Sequence, residues 1–136
     1  MSPDEAREFV ARNHRAVLIT RRSSGGLQTS PVLVGVDDDG KAVISTREAA
    51  YKTRNLRRDP TAVLCVLSDD FFGRWIQIDG TAQIVSLPEA MEGLVDYYRR
   101  ISGEHPDWDD YRRAMQSQQR VLVRVSIDAV GPVDAG

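Results

Sequence analysis

The sequence predicts a mainly β domain with peripheral helices, in which six antiparallel strands close into a small barrel. Three observations support this fold class. Short β-branched runs alternate with turns rich in Gly, Ser and Asp, and two long segments alternate apolar with polar residues. Helical segments fall only at the N-terminus, after the third strand and before the sixth. A parallel α/β sheet would need a helix between successive strands, so an antiparallel barrel with short connections fits better.

The first third of the chain predicts one helix and a three-stranded meander. Ser2-Pro3-Asp4-Glu5 has the pattern of a capping box with proline at the first helical position, so a helix should extend from Ser2 to about Asn13. Two turn segments, 23–26 and 37–40, separate the β-branched runs that follow. The predicted strands cover residues 16–22, 27–36 and 41–46.

The rest of the chain predicts three helices and three strands. A helix over 48–58 should end before Asp59-Pro60, because proline disfavours helical geometry in the preceding residue. The continuous apolar run 62–67 predicts a central strand, and the alternation over 74–85 predicts a strand with one dry and one polar face. Helices over 89–101 and 107–118 and a last strand over 121–127 complete the pattern.

Composition indicates a single globular domain over residues 1–136. Of these residues 41% are hydrophobic and 28% are charged, and the formal net charge of −2 argues against nucleic acid as the main partner. The apolar runs are too short to cross a bilayer, and the N-terminus is acidic where a signal peptide would be apolar. We therefore expect a cytoplasmic protein with no membrane partner.

Few side chains suggest chemistry of their own. His14 and His105 lie in different segments without metal-ligand spacing, so we predict no metal site. Cys65 lies within an apolar run and is expected in the core, where burial raises the pKa of a thiol and makes it unreactive. No nucleophile elbow, P-loop or dinucleotide fingerprint is present. If the protein is an enzyme, a bound cofactor should perform the chemistry, and the catalytic residues are unknown.

The segment 45–58 carries the strongest functional signal. Residues 41–60 hold six cations and two carboxylates, against a negative charge overall. If the predicted strand 41–46 runs directly into the helix, Ser45 and Thr46 at its end would offer hydroxyls and free N–H groups to an anion at the helix N-terminus. Lys52 and Asn55 share one helix face, so both could reach the same phosphate. The alternative is a basic helix face turned to solvent. Four residues form a neighbouring stripe: Arg47, Tyr51, Arg54 and Arg58.

These residues resemble a known family. The run of Ser45-Thr46, Lys52 and Asn55-Leu56-Arg57 with Pro60, followed by the strand 75–82, is similar to the split-barrel family related to pyridoxamine 5′-phosphate oxidase. Within that family the chain most resembles the mycobacterial-type branch that uses the deazaflavin coenzyme F420. The resemblance extends from the N-terminal helix to residues 120–124. It implies a homodimer of six-stranded split β-barrels, with the cofactor in a groove between the protomers.

The resemblance also implies a role for individual residues. Ser45 and Thr46 would contact the cofactor, Lys52 would bind its phosphate, and Asn55 would lie near that phosphate. The strand segment Ser30, Pro31 and Val32 would line the ring system, and Trp75 and Gln77 would approach the cofactor from the partner chain. Two departures argue against oxidation of a pyridoxine phosphate. Tyr51 replaces the arginine before the lysine, and the oxidase's C-terminal arginine motif is missing.

The function implied is an F420-dependent oxidoreductase. Reduced deazaflavin would deliver a hydride to a conjugated small-molecule acceptor, such as a quinone or a tetrapyrrole. Two alternatives stay open at this point: an FMN-binding oxidoreductase of the same fold, and a non-catalytic protein that binds or stores F420. Arg124, opposite the apolar face of the last strand, could reach the groove or solvent.

Overall fold

The protein folds as an antiparallel half-barrel with four helices, seen in a computed structural model that describes residues 1–134. No helix in this range is long and apolar enough to cross a membrane. The elements in chain order are α1 (Pro3–Arg12), β1 (Arg15–Arg21), β2 (Leu27–Leu33), β3 (Gly35–Val36), β4 (Ala42–Arg47), α2 (Tyr51–Arg58), β5 (Thr61–Leu67), β6 (Trp75–Val85), α3 (Met91–Ser102), α4 (Trp108–Ser117), β7 (Arg120–Val125) and β8 (Ala129–Asp134).

The strands form one antiparallel sheet in the order β2-β1-β5-β6-β7-β4-β3, and β8 pairs with β6. The long strand β6 joins the two halves, because its first part pairs with β5 and its last part pairs with β7. Gly80 lies where the pairing changes. A Cβ atom at that position would lie 1.9 Å from the backbone carbonyl oxygen of Ser126. Only glycine therefore allows the two backbone segments to approach this closely.

Two apolar clusters hold the fold together. The larger fills the inside of the barrel with side chains from β1, β4, β5, β6 and β7, backed by α1. The smaller lies on the opposite face of β4 and β7, where α3 and α4 cover the sheet. Because α3 and α4 occupy this face, they lie next to the residues at the end of β4. The smaller cluster consists of Val43, Ala90, Leu94, Val95, Tyr111, Met115 and Leu122.

A third sheet surface is half-exposed, and we call it the outer sheet face. It is the side of β2, β1, β5 and β6 that points away from the barrel interior, and cross-strand partners align along it. Cys65 lies on this face, so its expected place in the core was wrong. Burial nevertheless raises the pKa of its thiol, as expected. The outer sheet face comprises Val17, Ile19, Pro31, Leu33, Val63, Cys65, Leu67, Trp75, Gln77 and Asp79.

The mainly β class and the four helices are confirmed, and each of the six predicted strand segments contains a strand, but residues 1–134 form eight strands in place of six. The predicted strand over 27–36 is interrupted at Val34, whose N–H donates to the carbonyl of His14, and its end becomes β3. The strand β8 was not predicted, because Gly131-Pro132 breaks the alternating pattern. The N-terminal capping box is present, with the Ser2 Oγ atom accepting from the N–H of Glu5 at 3.1 Å.

Candidate functional site

The helix α2 begins later than its sequence suggests. Residues 48–50 form a turn, Ala50 is the N-cap, and α2 begins at Tyr51. The Thr53 hydroxyl donates to the carbonyl of Arg47 at 2.6 Å and so holds the helix against the end of β4. Ser45 and Thr46 lie near the end of β4, as expected, but the turn 48–50 separates them from the start of α2. Their part in binding a cofactor stays a prediction from the resemblance.

Lys52 is directed toward β2. Its Nζ atom donates to the Oγ atom of Ser30 at 3.1 Å, and the Ser30 side chain is buried. The pKa of Lys52 lies below its ordinary value, chiefly because burial removes water from the ammonium group and also because Arg120 repels it. Burial and the charge of Arg47 likewise lower the pKa of Arg120. Two of the predicted residues, Ser30 and Lys52, are thus brought into contact.

We call Arg47, Lys52 and Arg120 the cation cluster. Among the ion pairs formed within residues 1–134, none involves any of the three. The guanidinium of Arg120 donates instead to the neutral side chain of Gln118 at 2.8 Å. Mutually repelling cations that lack a carboxylate partner favour a bound anion, and partial burial strengthens that attraction.

Tyr97 of α3 completes this region and was not anticipated from the sequence. Its hydroxyl donates to the carbonyl of Leu33 at 2.8 Å, and the backbone N–H of Ser45 also faces the phenol oxygen. Burial raises the pKa of Tyr97, and this effect outweighs the opposing influence of the Ser45 N–H and Arg120. Tyr97 therefore links the end of β2 to β4 beside the cation cluster. Nothing in the helical spacing distinguishes it from an ordinary surface tyrosine.

Asn55 is buried, and its amide is engaged within the chain. Its Nδ2 atom donates to the Thr20 hydroxyl at 3.1 Å, and its Oδ1 atom accepts from Arg58 at 3.1 Å. Arg58 also donates to the carbonyl of Arg21 at 2.6 Å. These bonds anchor α2 on β1, and the proposed contact between Asn55 and a phosphate stays a prediction. Two residues of the predicted stripe of Arg47, Tyr51, Arg54 and Arg58 are not available on an open face of α2. Arg47 belongs to β4, and Arg58 donates its hydrogen bonds to this network.

The remaining predicted site residues divide between two faces. Ser30 and Val32 point to the inside of the barrel, whereas Pro31 is exposed on the outer sheet face. Trp75 and Gln77 also lie on the outer sheet face, on β6. The strands β2 and β6 are separated by β1 and β5, a distance of about 14 Å at ordinary strand spacing. Within one chain, Trp75 and Gln77 are therefore not brought to Lys52.

The sequence left open whether Arg124 reaches the cofactor groove or solvent, and in the structure its side chain forms ion pairs within the chain. Its Nε atom lies 3.0 Å from the Asp37 carboxylate and its Nη2 atom lies 2.8 Å from Asp39. It also donates to the side chain of Gln83 at 3.2 Å. Arg124 therefore fastens the turn between β3 and β4 to β7.

The fold and the match to known sequences define a class. The antiparallel half-barrel with four helices is the split-barrel fold, and the family model described as pyridoxamine 5′-phosphate oxidase matches residues 2–134. The chain belongs to this family. It is similar to the conserved hypothetical protein Rv2991 from Mycobacterium tuberculosis, with 28% identity over 96% of this chain and 82% of that chain and a TM-score of 0.77.

Two more distant structures share the fold. An F420 reductase is 19% identical over 91% of this chain and 94% of its own, with a TM-score of 0.71. HutZ, the heme storage protein from Vibrio cholerae, is 15% identical over 96% of this chain and 93% of its own, with a TM-score of 0.70. At these identities the two structures show that the fold is shared, and they do not define what this chain binds.

Proposed function

We propose that this protein is an F420-dependent oxidoreductase that transfers a hydride from the reduced deazaflavin to a conjugated organic acceptor. The observation that carries the proposal is the cation cluster, which is partly buried and has no carboxylate partner within residues 1–134. A phosphate-bearing cofactor supplies the missing negative charge. The cofactor performs the hydride chemistry, so the protein's own residues bind it, orient it and exclude water.

The residues present fit a cofactor of this kind. Lys52 would hold the phosphate, with the Ser30 hydroxyl as a neutral second donor. The arginine that precedes the lysine in the oxidase is replaced here by Tyr51, which is 74% exposed. Arg120 of β7 lies close enough to Lys52 to lower its pKa, and its charge adds to the positive potential at the phosphate position. Val32 lies on the same inward side of β2 as Ser30 and would line the ring system, whereas Pro31 is on the outer sheet face and its contact with the ring stays a prediction.

The same proposal requires a second copy of the chain. Within one protomer Trp75 and Gln77 lie on the outer sheet face, whereas Lys52 contacts Ser30 on the inward side of β2, so these residues do not face the same space. The outer sheet face, with its half-exposed Val63 and Leu67, offers an apolar surface that a partner could cover. In the resulting homodimer, Trp75 and Gln77 of one protomer approach the cofactor held by the other.

The choice of F420 over FMN rests on charge outside the phosphate position. F420 carries a phosphodiester and a glutamate-bearing tail, so its negative charge extends further from the ring. Arg47 and Arg54 are exposed at either side of the α2 start and could accompany such a tail. Each exposed contact contributes only about 0.2–1 kcal/mol. Together they favour F420, and salt should weaken that preference.

The deciding experiment compares the two cofactors by fluorescence titration at physiological ionic strength. We expect F420 to bind more tightly than FMN, and replacing Arg47 and Arg54 by alanine to reduce the difference. Lys41→Ala, which removes a cation elsewhere in the chain, serves as the control. Equal or tighter binding of FMN would overturn the F420 assignment and favour the flavin alternative.

A second measurement separates an enzyme from a store. Reduced F420 bound to the protein is mixed with quinone or biliverdin acceptors, and its oxidation is followed by absorbance. Oxidation that depends on the protein and saturates with acceptor supports the oxidoreductase. Tight cofactor binding without such oxidation would instead favour a non-catalytic F420-binding protein.

A further inference from the structure

A cavity of about 690 Å³ lies beside the cation cluster, and Arg120 of that cluster forms part of its lining. It is bounded by the turn after β4, the connection from β6 to α3, the helix α4 and the start of β7. Its volume is in the range of small-molecule sites. None of the nine residues predicted to hold the cofactor lines it. Its lining consists of Glu48, Ser86, Leu87, Pro88, Met91, Arg112, Gln116, Gln119, Arg120 and Val121.

The walls of this cavity are fixed to one another. The N–H of Glu48 donates to the carbonyl of Gln119 at 2.8 Å, which joins the turn after β4 to the turn before β7. Gln119 has a φ of 51°, a left-handed conformation that is uncommon for a residue other than glycine. This turn places Arg120 at the cavity wall. The cavity therefore has a defined shape and polarity without a ligand.

The charged residues of the lining differ in whether they have an ion-pair partner. Glu48 accepts two hydrogen bonds from Arg57, at 2.9 Å and 2.6 Å, and Arg112 is paired with Glu92 at 2.8 Å. Arg120 is the cation of this lining that has no carboxylate partner within residues 1–134. Its pKa is lowered by burial and by Arg47, so a bound anion would stabilise its charge. The exposed amides of Gln116 and Gln119 add neutral donors near it.

We propose that this cavity binds an amphipathic monocarboxylate, with the carboxylate on Arg120 and the apolar body over Leu87, Met91 and Val121. A guanidinium group matches a planar carboxylate through two parallel hydrogen bonds. Since Glu48 is paired with Arg57 and Arg112 with Glu92, Arg120 is the one charge of the lining without an ion-pair partner within residues 1–134, which matches a ligand with a single negative charge. The apolar floor requires a hydrocarbon or aromatic body. This site is additional to the proposed hydride transfer and does not depend on it.

The test uses the full chain with 4-phenylbutyrate and octanoate as probes. Binding is measured by calorimetry and located by amide chemical shifts in two-dimensional NMR. We expect saturable binding, with shifts concentrated in residues 86–91 and 116–121. The uncharged 4-phenylbutyramide should bind roughly tenfold or more weakly, because it loses the charge-assisted contact with Arg120.

Two variants address the geometry. Gln116→Glu places a negative charge on the exposed rim and should weaken the binding of both carboxylate probes. Met91→Trp should weaken their binding by filling the cavity. Arg113→Gln, on the same helix but outside the lining, is the control and should leave their binding unchanged. Absence of saturable binding at millimolar probe, equal binding of the amide, or insensitivity to Gln116→Glu would each overturn the proposal. FMN affinity, measured on the same Gln116→Glu protein, should fall less than carboxylate affinity, because Gln116 lines this cavity and is not among the residues of the proposed phosphate position. A loss larger for the carboxylates than for FMN therefore separates this proposal from the cofactor assignment.

Discussion

Lys52 has an environment that disfavours its own charge. Its ammonium group is half-buried, has a neutral hydroxyl as its hydrogen-bond partner, and is repelled by Arg120. Folding lowers its pKa, so the charged form costs free energy in the folded chain at neutral pH. An anion reverses this balance, since it replaces repulsion by attraction. The residue is therefore better suited to ligand binding than to stabilising the unliganded fold.

Replacing Lys52 by alanine tests this role. Lys52→Ala should weaken FMN or F420 binding by about 1.5–3 kcal/mol, or roughly 10- to 150-fold, because a charged hydrogen bond to the phosphate is lost. The free energy of unfolding should not fall, as measured by urea denaturation. Lys41→Ala is the matched control for loss of a lysine. Equal cofactor affinity in Lys52→Ala and wild type would show that α2 presents a basic face to solvent and does not bind the cofactor.

The lowered pKa predicts a distinct pH dependence. Below its folded pKa Lys52 is charged in both states and destabilises the fold. As pH rises from the folded pKa toward 10.5, the folded chain loses this proton first, so stability increases and phosphate affinity decreases. The chain has two lysines, and Lys41→Arg assigns the Nζ resonance of Lys52 by NMR. We expect a midpoint below 10.5 that rises when FMN is added; a midpoint at or above 10.5 without ligand contradicts this environment.

At the scale of single elements, β6 is the strand on which both halves of the barrel depend. Gly80→Ala should destabilise the protein by about 1–3 kcal/mol, because the added methyl group meets the carbonyl oxygen of Ser126, which is backbone and cannot rotate away. Urea unfolding of the variant measures the loss. Gly26→Ala, where the nearest heavy atom would be 3.6 Å away, is the control. Equal stabilities of the two variants would show that β6 can shift at this position.

The elements were predictable where a local rule decides them. The capping box fixes the start of α1, and two-residue alternation identifies β6 and β7. The predicted start of α2 was wrong because residues 48–50 have helix-forming composition but form a turn. The hydrogen bond from Thr53 to the carbonyl of Arg47, which holds α2 against the end of β4, is a contact that local composition does not reveal. The alternation of residues along a strand also does not show which other elements cover each face of the sheet. For this reason Cys65, within an apolar run, was assigned to the core.

The candidate site was predictable only in part, for a related reason. Lys52 and Ser30 were found through short sequence segments that resemble a family, and the structure brings them into contact. Arg120 and Tyr97 come from β7 and α3. The proximity of Arg120 to Lys52, and of Tyr97 to Arg120, depends on how distant elements pack. No spacing within either segment carries that information.

At the scale of the whole molecule, the outer sheet face is a sheet surface that no helix within residues 1–134 covers in an apolar cluster. Its central strands present Val17, Ile19, Val63 and Leu67, all half-exposed. A stable protein–protein interface buries more than about 1,000 Å² in total. The same face carries Trp75 and Gln77. Covering it in a homodimer would join the two separated groups of predicted site residues.

A charge at the centre of this face tests the dimer and the two-chain site together. Val63→Arg should give a folded monomer, because a half-exposed arginine can remain in solvent but cannot be buried unpaired between two copies. Circular dichroism checks folding and analytical ultracentrifugation at micromolar concentration measures assembly. Ser117→Arg, an exposed position on α4, adds the same charge away from the interface.

The Val63→Arg monomer should bind cofactor weakly although Lys52 and Ser30 are intact. A wild-type protein that is monomeric and binds cofactor normally, or a Val63→Arg monomer with undiminished affinity, would show that one chain holds the cofactor without Trp75 and Gln77 of a partner.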